Sequence, residues 1–148
     1  MNKINGNAAL HLSNLLDKYI GTLMYQEFPV TAVFADKNGL PVLKEWVDCE
    51  GEVHRFFVYP VSKNQLTEFL QGKISHFDLF CTTQNGLSFL FDETDKGFKN
   101  IKPIIAKDLI ADYLPSIDSF FKIENGVDTG KIATFFKLQM VEQGILAA

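Results

Sequence analysis

Arginine is nearly missing from this chain. Of 14 basic residues only Arg55 is an arginine, and no two basic residues are adjacent. The formal net charge is −4. A duplex binder needs a basic face, and arginine's planar fork is the preferred tool for phosphate and base-edge contacts, so nucleic acid is not an expected partner. Cysteine is scarce too. Cys49 and Cys81 form no C-x-x-C pair and follow no signal peptide, which reads as two reduced thiols in a cytoplasmic protein. No apolar run approaches the roughly 20 residues that cross a bilayer, so no membrane association is expected.

What is present fits one globular domain. At 148 residues, about two-thirds of the unfolded surface can be buried on folding, enough for a core that needs neither metal nor disulfide. Hydrophobic residues make up 47% and charged residues 22%, away from the disordered and fibrous classes. Aromatic residues are abundant, with 14 Phe, 4 Tyr and the single Trp46.

Residues 1–7 are polar and read as a loose tail whose Asn7 could cap a helix. Ala9, Leu12, Leu16, Tyr19, Ile20 and Leu23 then fall on one helical face, predicting a helix to about Gly21 and an extended stretch over 22–26. The best-defined part is 28–72. Asp36-Lys37-Asn38-Gly39 predicts a hairpin turn between strands 28–36 and 40–48, because Asn and Gly tolerate positive φ. Of two possible registers, the longer loop sets Phe34 opposite Val42 and Val30 opposite Trp46. It is preferred because Val30, Ala32, Phe34, Val42 and Trp46 then share a face. Residues 49–52 make a second turn and 53–59 a third strand, with Arg55 opposite either Glu45, as an ion pair, or Trp46, as a cation–π partner. Pro60 stops that strand.

Ser62 and Gln65 have capping-box spacing and open a helix through Leu66, Phe69 and Leu70 to Gly72. Ser75 and Asp78 begin a second short helix toward Phe80. Further on, Gln84-Asn85-Gly86 reads as a turn, 87–91 as a buried strand, 92–97 as a polar turn and 98–105 as an extended edge with Pro103. Residues 108–113 are ambiguous. Phe120 to Ile123 reads as a short strand, Asn125-Gly126 and Thr129-Gly130 as a loop, 131–140 as a last strand and 141–148 as a loose end. The predicted architecture is a single α+β domain over 1–148. It has a curved antiparallel sheet of five to seven strands, an N-terminal helix and a short helical pair at about 63–81.

The order P-V-x-A-V-F-A-D-x-x-G-x-x-x-L-x-x-W-V-D, from Pro29 to Asp48, is followed by R-F-F-V-x-P-V-S-x-x-x-L-x-x-F-L-x-G-K-I, from Arg55 to Ile74. Together they resemble a family of small uncharacterised α+β domains, of unknown function, coded by bacteria and their phages. Tyr113-Leu114-Pro115 is similar to the same family's downstream Y-L-P. The matching positions, among them Pro29, Asp36, Gly39, Trp46, Arg55, Pro60, Ser62 and Gly72, are turn, cap and core residues. The resemblance therefore implies a fold and a bacterial or phage setting, and it brings no catalytic residues with it.

No motif in the chain carries a chemistry of its own. Cys49, His54, His76 and Cys81 are ligand types that zinc accepts, but their spacing is not that of a zinc module, and they read as four unrelated residues. A Cys–His nucleophile pair from the same set needs a thiolate about 3 Å from a base, which chain order does not predict. His11 reads as a surface histidine. Gly126 to Lys131 is one residue short of a phosphate loop and has Ile132 where a hydroxyl should hold magnesium. Asp92 to Gly97 fails as a calcium loop, with Lys96 at its fifth position and Pro103 at its twelfth. Asp36, Asp48, Glu50 and Glu52 read as exposed turn carboxylates.

Neither a cofactor nor a metal is implied, and no catalytic residue is assigned. Two binding readings remain. Adjacent rings at Phe120-Phe121 and Phe135-Phe136 would, on strands, point one into the core and one outward, toward a protein partner or a second copy of the chain. The expected function is therefore a non-enzymatic protein-interaction domain, such as an inhibitor, immunity or accessory factor in bacterial or phage conflict. The alternative is a small-molecule binder, perhaps of a nucleotide signal, with a pocket lined by Trp46, Arg55, Phe57 and Tyr59.

Overall fold

The computed structural model describes residues 2–25, 29–81, 88–122 and 127–139. Six strands form one open antiparallel sheet in the order of the chain: β1 (Lys18–Tyr25), β2 (Pro29–Ala35), β3 (Pro41–Glu50), β4 (Val53–Pro60), β5 (Phe89–Thr94) and β6 (Gly97–Pro103). Helix α1 (Asn2–Leu15) precedes them, and α2 (Lys63–Leu70) and α3 (His76–Cys81) link β4 to β5. Two 3-10 turns, Ala106–Asp108 and Ala111–Tyr113, belong to a strap after β6, and α4 (Thr129–Phe136) follows it. This is the predicted α+β sheet with an N-terminal helix and a helical pair.

The sheet is covered on both faces because its central strands are apolar on both. Val33, Ala35, Leu43, Phe57 and Tyr59 point to one face, where Leu66, Phe69, Leu79, Phe80, Ile132 and Phe136 from α2, α3 and α4 complete the larger core. Val42, Val58, Phe89 and Phe91 point to the other face and meet Ala8 and Leu12 of α1. A helix presents a narrow stripe, so α1 covers only part of that second face.

Local chemistry explains the hairpin. Asp36 Oδ1 accepts from the backbone N–H groups of Asn38 (2.8 Å) and Leu40 (2.9 Å), and Gly39 takes φ +82°, where a Cβ is disfavoured. The result is the longer loop, with Phe34 opposite Val42. The predicted capping box is also present: Gln65 N–H donates to Ser62 Oγ and Ser62 N–H to Gln65 Oε1. Ser75 accepts from Asp78 N–H at 3.0 Å at the start of α3.

Several expectations are corrected. The first helix stops at Leu15, not Gly21, and it begins at Asn2 instead of after a cap at Asn7. Ile20 and Leu23 are both buried because β1 is irregular, with register shifts between Tyr19 and Gly21 and between Thr22 and Met24. A bulged strand thus imitates helical spacing. Arg55 faces neither Glu45 nor Trp46. A bulge between Trp46 and Asp48 shifts the pairing, so that Arg55 lies opposite Asp48 and Phe56 opposite Trp46. Asp92 to Thr94 continue β5 instead of forming a turn, which narrows to residues 95–96.

The expected last strand and the Thr129-Gly130 loop are replaced by α4. Its buried Ile132, Ala133 and Phe136 fall on one helical face, and Lys137 closes it at φ 57° with Leu138 N–H donating to Ala133 C=O. Phe120 to Lys122 are irregular instead of extended. Phe28, the turn at Gln84-Asn85-Gly86, Ile123, Asn125-Gly126 and residues 141–148 lie outside the described residues.

Helix α4 also closes the β1 edge. Asp128 N–H donates to Thr22 C=O (2.9 Å) and Thr22 N–H to Asp128 Oδ2 (2.8 Å), pairing groups that an edge strand would otherwise leave open. Gly21 permits the approach, since a Cβ there would lie 2.7 Å from Asp128 Cβ.

Candidate binding groove and the polar core behind it

Where α1 stops covering the second sheet face, the strands leave a half-open groove of about 610 Å³. Alternation puts Ala32 and Phe34 of β2, Lys44 of β3 and His54 and Phe56 of β4 into its floor, and Tyr19 of β1 bounds it on one side. Tyr19 meets Phe34 edge-on, with ring centres 5.5 Å apart. Beside the groove, Trp46 Nε1 donates to His54 Nδ1 at 3.2 Å.

The one lysine in the floor is already held. Lys44 Nζ donates to Glu93 Oε1 at 2.7 Å and lies 4.3 Å from the centre of the Phe56 ring, with Phe34 and Phe91 near 6 Å. An ammonium so placed is attracted by both the carboxylate and the ring faces. Glu52 and Asp95, from the β3–β4 and β5–β6 turns, are exposed and line the groove. Neither has an ion pair among the described residues.

The opposite face holds the strongly perturbed ionisable groups. Glu45 is buried, in phase with Leu43 and Val47. Its Oε1 accepts from Thr31 Oγ1 (2.6 Å), and its Oε2 meets Tyr59 OH (2.7 Å) and His76 Nε2 (2.7 Å). Burial pushes the Glu45 carboxyl up, but the His76 charge and the three hydrogen bonds outweigh it and hold the group below its ordinary value of 4.5. For His76, burial pulls down and Glu45 more than compensates, leaving it above 6.5. Burial, and then Glu45, raise Tyr59. A cavity of about 350 Å³ lies beside this cluster, under the Tyr113-Leu114-Pro115 part of the strap. The Glu45 carboxylate and the His76 imidazole are thus each other's partners inside the core, the one held below and the other above its ordinary value.

Arg55 fastens the strap. Its Nε donates to Asp92 Oδ1 (2.8 Å) and its Nη1 to Tyr113 OH (2.9 Å), and Tyr113 OH donates to Asp48 Oδ2 (3.0 Å). Hydrogen bonding to Asp92 raises the guanidinium pKa, and the same bond lowers that of Asp92.

The proposed quartet of Trp46, Arg55, Phe57 and Tyr59 is not brought together: Phe57 and Tyr59 are fully buried against α3, Arg55 joins the strap, and Trp46 bonds His54. The phenylalanine pairs do split as one ring in and one out. Phe121 and Phe136 are buried, whereas Phe120 is 48% and Phe135 40% exposed, the second pair on a helix. Cys49 and His54 face each other across β3 and β4, while His76 and Cys81 sit at the two ends of α3. Among the described residues no three His, Cys, Asp or Glu could hold a metal. Burial raises the Cys81 thiol, which disfavours the nucleophilic thiolate. His11 is exposed on α1, near Phe89. Asp92 is buried against Arg55, not in a solvated turn.

Sequence reading missed Glu45 as a buried acid. Its inward phase between Leu43 and Val47 was the available signal. No family model, curated protein or solved structure matches this chain. Among the described residues no helix is long and apolar enough to cross a membrane.

Proposed function

We propose that the protein is a non-enzymatic protein-interaction domain, acting in the cytoplasm, whose binding face is the groove over Ala32, Phe34, Lys44 and Phe56. The observation that carries this reading is a sheet covered by helices on one face and left open on the other over an aromatic, concave strip. Such strips on a folded domain mark contacts. The groove is half-open, which fits a segment of a partner better than a small molecule that needs most of its surface enclosed. The acid–base groups of the polar core are committed to one another, which supports a binding role over catalysis. Action as an inhibitor or accessory factor in bacterial or phage conflict extends this reading from the family resemblance.

The test is a comparison of captured proteins. Tagged wild type, a Phe34→Ala/Phe56→Ala variant and an Ile117→Ser/Phe120→Ser variant are used as baits, with folding checked by thermal melts. A partner kept by wild type and by the strap variant but lost by the groove variant supports the reading. A partner lost only by the strap variant, self-association through Phe120, or a capture indifferent to both variants overturns it.

A further inference from the structure

The lining of the groove holds three carboxylates, Glu52, Glu93 and Asp95, against a single ammonium, Lys44. Lys44 and Glu93 neutralise each other at 2.7 Å. That leaves Glu52 and Asp95 without a counter-charge among the described residues, on the β3–β4 and β5–β6 turns at the same end of the sheet, in a lining they share with Phe34 and Phe56. The chain as a whole adds a net charge of −4. The groove thus combines aromatic faces with unmatched negative charge, and both attract a cation with an apolar stem.

The molecule already shows this mode of binding once. Lys44 sets its ammonium 4.3 Å from the centre of the Phe56 ring, with Glu93 beside it at 2.7 Å. An incoming lysine or arginine would meet the same two kinds of group in the lining, the rings of Tyr19, Phe34 and Phe56 and the carboxylates of Glu52 and Asp95. Among the described lining residues, an anionic ligand would meet Glu52 and Asp95 with Lys44 the one ammonium, at the expense of its existing pair.

We infer that the groove receives a lysine or arginine side chain carried on an apolar segment of the partner protein. This rests on the groove being the binding face. The opposing charges would speed encounter and make binding salt-sensitive, while the rings supply the contact area.

The experiment is a titration of the labelled protein, followed by amide chemical shifts, with the blocked peptide Gly-Leu-Arg-Leu-Gly, its Gln-centred and Glu-centred analogues, and butylguanidinium alone. The expected result is saturable shifts at Ala32, Phe34, Lys44 and Phe56 with the Arg peptide. Binding should be about tenfold weaker for the Gln peptide and weaker still for butylguanidinium. Affinity should fall as salt rises from about 50 to 300 mM. The Glu52→Gln/Asp95→Asn variant should lose the preference for Arg over Gln while keeping its thermal stability. If the Gln or Glu peptide binds the groove as well as the Arg peptide, the cation inference is overturned and the groove remains a binding face. If butylguanidinium alone matches the peptide, the occupant is a small cation and the protein-partner reading fails. If no probe shifts the groove, the inference is overturned, and the capture experiment separately decides whether the groove binds a partner.

Discussion

The carboxylate of Glu45 and the imidazole of His76 meet at 2.7 Å inside the core, joining the middle of β3 to the first residue of α3. Thr31 and Tyr59 add two further hydrogen bonds, so the Glu45 carboxylate accepts three in all where an isolated buried charge would be prohibitive.

Removing one partner should therefore be severe. Glu45→Ala leaves His76 buried without its counter-charge and Thr31 and Tyr59 without their acceptor, and should cost about 3–5 kcal/mol in urea denaturation. The pH dependence has a defined shape. Glu45 is held below 4.5, so its stabilisation is complete above that value and is lost as acid titrates it through its lowered folded value. His76 is held above 6.5, so its stabilisation is complete below that value and is lost as base removes its proton at the raised folded value. The stability gap between wild type and a Glu45→Gln/His76→Leu variant should be widest between pH 4.5 and 6.5 and narrow on both sides. A gap that is flat from acid to alkaline pH would show that the pair is not ionised in the fold.

Two glycines near α4 should respond with opposite signs. A Cβ at Gly21 would collide with Asp128 Cβ at 2.7 Å, so Gly21→Ala should lose about 1–3 kcal/mol and loosen the Thr22–Asp128 pairing. Gly130 is helical and exposed, with nothing within 4 Å of its added methyl, so Gly130→Ala should gain about 0.5 kcal/mol. Thermal melts of the two variants decide this.

Tyr113 transmits the hold of Arg55 on the strap. Tyr113→Phe keeps the ring and removes the hydroxyl that bridges Arg55 and Asp48, at a cost of about 1 kcal/mol at this half-exposed site. The sharper readout is local. Amide exchange at Tyr113 and Leu114, whose N–H groups bond within the strap, should accelerate while the β3–β4 amides are unaffected.

The 36–39 hairpin and the capping box were legible because each is written in neighbouring residues. Asp36, Asn38 and Gly39 build a turn by themselves, and Ser62 and Gln65 cap α2 without outside help. The errors fall where long-range contacts decide. The first half of β1, up to Gly21, reads as helix because its bulges space Ile20 and Leu23 as a helix would, and pairing with β2 settles the matter. Residues 129–136 are aromatic and β-branched in part, yet packing of Ile132, Ala133 and Phe136 against β1 and α2 makes them a helix. The turn register that sets Arg55 opposite Asp48 could not be read from sequence, nor could β5, which places Asp92 beside Arg55 on its other side. The groove was half legible: the shared face of Ala32, Phe34 and Val42 was foreseen, but the reach of α1, which covers Val42 and leaves Phe34 lining the groove, was not.

Site-specific photo-crosslinking in cells decides whether a partner's cationic, apolar segment lies in the groove. A photoreactive residue is placed at Glu52, at the groove, or at Ile117, on the strap. The account predicts a crosslinked protein from position 52 whose attached peptide holds a lysine or arginine beside apolar residues, and no such product from position 117. Crosslinks from position 117 alone, or an acidic peptide at position 52, would contradict it.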